Sequence, residues 1–257
     1  MVPTLLGRPL LWVNAFWVAG VLIDSGCAHT VPDLVRALES EGLRVEQLVH
    51  THTDEDHVAG DFSLCLRFGV TPRAHPLGVE RLVRPETARE MEFYRRLFWG
   101  AVKPIERAEP LSEVVEAGPY RFQVIPTPGH AAEHVVFWEE QQGWLFSGDL
   151  MLSPRLSSVR TREEPAVALE SLRKLAALPV KQIFCSHARK VYTSADPLKT
   201  KLAYWEKIRQ EGAALRAQGL TVAQVTRRLL GKDGFTEWIT RGDVSKQNLV
   251  AGLLRGR

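Results

Sequence analysis

Val49-His50-Thr51-His52-Thr53-Asp54-Glu55-Asp56-His57-Val58-Ala59-Gly60 places six imidazole or carboxylate side chains within the eight residues from His50 to His57. Imidazole nitrogens and carboxylate oxygens are the donors that zinc, iron and manganese take. A merely solvated turn draws on Gly, Pro, Asn, Asp and Ser rather than on histidine. Residues 45–49 read as a short buried strand, so the cluster leaves the C-terminal end of a strand, where open α/β sheets place their sites.

Upstream, residues 10–16 and 18–23 are rich in Val, Leu, Ile and Trp and predict two adjacent buried strands that run into Asp24-Ser25-Gly26. The run is too short for a membrane span and Asn14 interrupts it, so neither a span nor a signal peptide is expected. Thr30-Val31-Pro32-Asp33 opens a helix that ends at Gly42. Downstream, residues 60–71 predict a helix and 70–74 a strand. Residues 85–102 predict a helix crowded with Met91, Phe93, Tyr94, Leu97, Phe98 and Trp99, packed on the core or, as the alternative, serving as a lid or dimer surface.

Three later loops carry further donors. Residues 120–125 form a strand into the rigid turn Pro126-Thr127-Pro128-Gly129-His130. Residues 135–139 and 144–147 form a hairpin that ends at Gly148-Asp149. After a helix over 163–178, a buried strand over 180–185 ends at Ser186-His187. Each of these loops follows a strand, and strands of one sheet system bring such ends together. From residue 191 onward only helices are expected, over 197–218, 222–230 and 244–254.

With 257 residues, 45% apolar and 25% charged, the chain fits one large α/β domain with a small appendix. The formal charge of +3 does not by itself call for nucleic acid. Residues 199–257 hold twelve Lys or Arg against five Asp or Glu, read as a solvated helical surface. Cys27, Cys65 and Cys185 are odd in number and lack a Cys-x-x-Cys pair, which points to a reducing cytoplasm.

Taken in order, Leu22-Ile23-Asp24-Ser25-Gly26, the opening cluster, Thr127-Pro128-Gly129-His130, Ser147-Gly148-Asp149 and Ser186-His187 resemble the five signatures of the metallo-β-lactamase superfamily, glyoxalase II-like hydrolases among them. The resemblance implies a four-layer αββα sandwich over residues 1–190 with a helical C-terminal extension over 191–257. It also implies a site for two divalent metal ions, zinc first, with iron or manganese as alternatives. The family motif His-x-His-x-Asp-His fits best from His52. On that register the resemblance gives His52, Asp54 and His130 to one ion, Asp56, His57 and His187 to the other, and Asp149 to both, with Asp56 and Asp149 as catalytic carboxylates. His50 and Glu55 become bystanders, and His134 orients a neighbour rather than ligating.

Asp54 departs from the pattern, which has histidine there. Counted formally, two divalent ions, three carboxylates and one hydroxide give +4 − 3 − 1 = 0, one positive charge fewer than a histidine would leave. That predicts a less acidic water, a preference for harder ions, and better zinc retention in an Asp54→His variant. The expected activity is metal-dependent hydrolysis of a small ester, thioester or lactone, with Arg155, Arg160, Arg162, Arg189 or Lys190 available to a substrate carboxylate. The alternatives are phosphodiester cleavage, a non-haem iron oxidoreductase resembling sulfur dioxygenases or flavodiiron proteins, and a metal-binding module without catalysis. The expected partner is a small molecule, with nucleic acid the less favoured alternative, no membrane, and a homodimer as a further option.

Overall fold

The computed structural model describes residues 12–87, 89–232 and 234–255, together with the backbone of the short strands β1 (Thr4–Leu5) and β2 (Arg8–Pro9). Residues 10 and 11 of the first expected strand lie outside the described set. One sheet contains β3 (Phe16–Val18), β4 (Val21–Ile23), β5 (Gln47–Val49), β6 (Pro72–Ala74) and β7 (Glu109–Pro110), in that spatial order. Its β3–β4 hairpin is antiparallel and the pairs from β4 to β7 are parallel. The second sheet contains β8 (Val114–Ala117), β9 (Tyr120–Pro126), β10 (Val135–Glu139), β11 (Trp144–Phe146) and, after β12 (Val159–Arg160), β13 (Gln182–Phe184). Its order is β13-β11-β10-β9-β8, with β11 and β13 parallel.

Side-chain alternation along the strands builds the layers. Val21, Ile23 and Val49 of the first sheet face Val115, Phe122, Val135, Phe137 and Phe146 of the second, forming the seam between sheets. Leu22 and Leu48 point the other way, onto Leu38 of α1 (Val31–Ser40) and, beyond α2 (Glu55–Val58), Leu64 of α3 (Asp61–Phe68). Past α4 (Val79–Val83) and α5 (Phe93–Trp99), the outer face of the second sheet is covered by α6 (Pro165–Ala176), α7 (Asp196–Ala217), α8 (Val222–Leu230) and, after α9 (Phe235–Ile239) and β14 (Val244–Ser245), α10 (Lys246–Leu254). Leu198, Trp205, Val225, Leu249 and Leu253 of that helical cover share one cluster with Val136, Trp138 and Leu145. Each such fully buried large side chain contributes about 1.5–3 kcal/mol. The layers are therefore helix, sheet, sheet, helix, the expected sandwich with a helical C-terminal region.

Two expectations are corrected. The aromatic stretch forms a helix only over Phe93–Trp99, because a turn closed by the Thr87 carbonyl precedes it and Glu92 is its N-cap; its Trp99 packs against Cys27, Val13 and Phe98. The region after residue 190 is not helical throughout, since Val244–Ser245 pairs antiparallel with Val159–Arg160. Asn248 reinforces that ladder through Nδ2, which lies 3.3 Å from the Val159 carbonyl and 3.2 Å from Thr161 Oγ1. All three cysteines are free, and among the described residues no helix is long and apolar enough to cross a membrane.

Lys201 of α7 is buried in this helical layer, where its Nζ donates to the Leu150 carbonyl at 2.5 Å and lies 4.6 Å from the Trp205 ring centroid. Burial pushes its ammonium from 10.5 down to about 8. Between those values the unfolded chain holds a proton that the folded one has lost, so stability rises with pH through that window. The penalty of a buried charge is full below pH 8 and gone above 10.5. Denaturant titrations should show wild type gaining up to about 3 kcal/mol relative to Lys201→Met across that window. A constant difference would remove Lys201 as its source.

Candidate metal centre

The parallel strands deliver the site. Beyond β4 comes Asp24, beyond β5 the run from His50 to His57, beyond β11 Asp149 and beyond β13 His187; the β9–β10 turn supplies His130 and His134. His52, Asp54 and His130 each offer a ligand atom within 4.8 Å of the others; so do His52, His57 and Asp149, and so do Asp56, His57 and His187. The structure therefore brings all seven sequence-selected residues to one place.

Four imidazoles are held in the same sense. His57 Nδ1 lies 2.9 Å from Asp24 Oδ2, His52 Nδ1 3.1 Å from Thr51 Oγ1, His130 Nδ1 3.1 Å from Glu163 Oε2, and His187 Nδ1 2.6 Å from the Trp12 carbonyl. With Nδ1–H directed at those acceptors, His52, His57 and His187 present Nε2 to the centre, whereas His130 meets Glu163 as an ion-pair contact with Nδ1 left without a hydrogen bond. The Nε2 atoms of His52, His57 and His130 are buried without a hydrogen bond, as are Asp56 Oδ1 and Asp149 Oδ1. Buried polar atoms are otherwise nearly always paired, so this convergence of lone pairs fits a cation set. Asp149 faces both halves: Oδ1 is 3.3 Å from His57 Nε2 and from His187 Nε2, and Oδ2 is 3.6 Å from His130 Nε2.

The close approach of these groups shifts their titration. Burial works to raise the Asp149 and Asp56 carboxyls, yet the facing imidazoles hold both below the ordinary range. Burial works to lower His57, but Asp56, Asp149 and Asp24 carry it well above the usual histidine value. His134 is pushed down to about 3 by burial and by the charge of His130. Its neutral ring accepts the Asp149 backbone N–H at Nε2, 3.2 Å away, while Nδ1 lies 2.8 Å from Thr127 Oγ1. His134 thus orients the Asp149 turn, as expected.

The residues that sequence reasoning missed stand just behind the donors. Asp24 accepts from the Thr51 backbone and hydroxyl at 2.9 Å each, besides meeting His57, and does so with φ of 62°, the left-handed region that Asp tolerates better than most residues. The signal was its place in Leu22-Ile23-Asp24-Ser25-Gly26. Ser25 donates to Asp61 Oδ1 at 2.7 Å and fixes the start of α3. His50 lies 3.0 Å from Asp61 Oδ2 and faces away from the centre; Glu55 takes two hydrogen bonds from Arg95. Both are bystanders to the ligand set. Gly148, φ 48°, has a tight place: a Cβ there would sit 2.6 Å from His134 Nε2 and 2.8 Å from Thr51 Cβ. Gly148→Ala should cost about 2 kcal/mol or more and lower metal content, read by thermal melting and elemental analysis. Unchanged melting and metal content would show that the turn has slack.

The cations nearest Asp54 correct the sequence expectation most. Arg160 Nη1 donates to Asp54 Oδ2 at 2.7 Å, and Arg162 Nη2 to Oδ1. Burial would raise the Asp54 carboxyl; Arg160, His130 and Arg162 hold it well below the ordinary range. Two positive charges therefore stand beside Asp54, while the carboxylates of Asp24 and Glu163 stand behind His57 and His130. An Asp54→His substitution would leave these two guanidiniums facing an imidazole, so metal retention in that variant reads their influence together with that of the lost carboxylate. Arg160 and Arg162 serve Asp54 first. Arg155 stands beside Tyr204 and Lys207, Arg189 covers the Trp12 ring at 5.3 Å, and Lys190 lies near Ala188 and Val191, so none of the three takes part in the ligand set.

A family description, Metallo-beta-lactamase superfamily, matches residues 12–187, more than half of the chain. The chain belongs to that superfamily. Within the superfamily, it is 30% identical over 190 residues to a hydroxyacylglutathione hydrolase of Chelativorans sp. (strain BNC1), covering 70% of this chain and 66% of that one. It is 30% identical over 215 residues to the hydroxyacylglutathione hydrolase of Stenotrophomonas maltophilia (strain R551-3), covering 81% and 72% respectively. The chain thus spans about two thirds to three quarters of the length of these two superfamily relatives. Among solved superfamily structures, that of TTHA1623 in a di-iron-bound form aligns at 26% identity and a TM-score of 0.60, over 78% of this chain and 96% of that one.

Proposed function

We propose that the chain is a metal-dependent hydrolase of a small thioester, with an ester or lactone as the neighbouring possibility in the same chemistry. The observation that carries the reading is the convergence of unpaired Nε2 atoms of His52, His57 and His130 on Asp149, whose two oxygens face opposite halves of the site. The hydroxyacylglutathione hydrolases among its relatives support a thioester bond as the one cut. His52, Asp54 and His130 would hold one divalent ion and Asp56, His57 and His187 the other, with Asp149 facing both. When bound, such a pair supplies a water acidified toward neutral pH and a Lewis acid for the acyl oxygen. Zinc is the expected occupant, and iron an alternative in keeping with the di-iron-bound relative.

The chain's own side chains do the rest. Asp56 Oδ1, buried without a hydrogen bond, is the acceptor that would orient the attacking water. Asp24, Thr51 and the Trp12 carbonyl fix the ring orientations of His57, His52 and His187, so little reorganisation is needed there on substrate arrival. Trp99, its ring centroid 5.9 Å from that of His187, forms an apolar wall at the half of the site where His187 retains 17% of its side-chain exposure. The three free cysteines support a reducing, cytoplasmic setting for this reading.

The test is a panel on fully metallated protein: an S-acyl glutathione, a short acyl ester, a lactone, bis-p-nitrophenyl phosphate, and oxygen uptake with a persulfide donor. Thioester cleavage that is lost on chelation and restored by metal is the expected result. Vigorous oxygen uptake without hydrolysis would replace the reading with an iron redox enzyme, and turnover of the phosphodiester alone with a phosphodiesterase.

A further inference from the structure

We propose that the two metal positions are unequal, and that Arg160 and Arg162 make the one built from His52, Asp54 and His130 the weaker and more exchangeable. The inference rests on the two-metal reading of the site. Both oxygens of Asp54 are already committed: Oδ2 accepts from Arg160 at 2.7 Å and Oδ1 from Arg162. Oδ2 is also the oxygen that faces the centre, 3.3 Å from His130 Nε2 and 3.7 Å from His52 Nε2. A cation entering that half therefore meets a carboxylate whose charge is shared with two guanidiniums, and meets the guanidiniums as like charges close by. Asp56, which serves the other half, has no arginine or lysine ion pair among the described residues, nor has Asp149, which faces both.

The Arg160 guanidinium is not free to withdraw. Arg160 keeps only 13% of its side-chain exposure, and its backbone belongs to the β12–β14 ladder. The Arg160 N–H donates to Glu163 Oε1 at 2.8 Å. Between the two arginines, Thr161 donates its backbone N–H to Asp243 Oδ1 at 3.2 Å and its hydroxyl to the Asp243 carbonyl at 3.3 Å. The same Asp243 accepts from Tyr94 of α5 at Oδ2. The clamp on Asp54 is thus assembled by the C-terminal segment and α5 together, outside the ligand set.

The experiment is a titration of chelator-stripped protein with cobalt(II), followed by its visible absorption, and with zinc in competition with a chromophoric chelator. Wild type should bind two ions in steps separated by about tenfold or more in dissociation constant. Arg160→Met and Arg162→Met should each narrow that gap by strengthening the second step, while Arg160→Lys, which keeps the charge, should retain it. Asp54→Ala should abolish the second step and leave the first. One step of two equal affinities, a gap unmoved in both methionine variants, or loss of the first step in Asp54→Ala would each overturn the inference while leaving two-metal binding intact. Failure to bind any ion would instead remove the two-metal reading itself, and this inference with it. Because Asp54→Ala and Arg160→Lys bear on the question independently, a methionine variant that did not fold would leave it decidable.

Discussion

Asp149→Asn is expected to lower kcat/KM for thioester cleavage by about two to four orders of magnitude, the range for removing a group that positions or activates a nucleophile. Asp149 alone presents an oxygen to each half of the site, and its carboxyl is held ionised by His187 and His57 against the effect of burial. An amide keeps the shape and one acceptor, but offers neutral NH2 to one half and loses the charge that both halves share. Metal content should therefore fall along with turnover. The check is elemental analysis beside steady-state kinetics on the same preparation. Wild-type metal content with wild-type turnover would remove Asp149 from the centre.

The largest loss of stability is expected from Arg95→Met. Arg95 and Glu55 keep 5% and 3% of their side-chain exposure and meet through two hydrogen bonds, at 2.8 and 2.6 Å. Removing the guanidinium strands a buried carboxylate, which costs about 3–5 kcal/mol. Glu86 and Glu92 also lose the Arg95 partner, though both are largely solvated and add little. For a chain of this size the melting temperature should drop by about 6–20 °C. Glu55→Gln with Arg95→Met should recover much of that loss, since the double variant buries no unpaired charge. A single variant that melts like wild type would show that water reaches Glu55.

The donors were legible because they are local. His52, Asp56 and His57 fall within six residues, and His130, Asp149 and His187 each follow an apolar run, so short-range pattern sufficed to find them. The layers were legible for the same reason, through the alternation that sends Leu22 one way and Val21 with Ile23 the other. What was not legible is long-range pairing. Arg160 and Arg162 reach Asp54 across 106 and 108 residues, and nothing in their own neighbourhood separates them from solvated charge. The β14 strand is two residues long, too short to show a period of two. Its residues were read as the start of α10, which begins instead at Lys246 with Ser245 as its cap. The aromatic crowding of 85–102 suggested a long helix, whereas its Trp and Tyr are buried by tertiary contacts made from a helix of seven residues.

The ladder between Val159–Arg160 and Val244–Ser245 consists of two residue pairs, supported mainly by Asn248 and Asp243. So short a ladder can open locally at far lower free energy than the sheets beneath it, because little apolar surface is exposed when it parts. Its amides should accordingly exchange hydrogen for deuterium early, in a population of molecules whose core remains protected. Each opening would slacken the hold of two guanidiniums on Asp54. The chemistry of an interior centre is in that sense fastened by a seam at the surface, and the lifetime of the seam sets how long one face of the centre stays assembled.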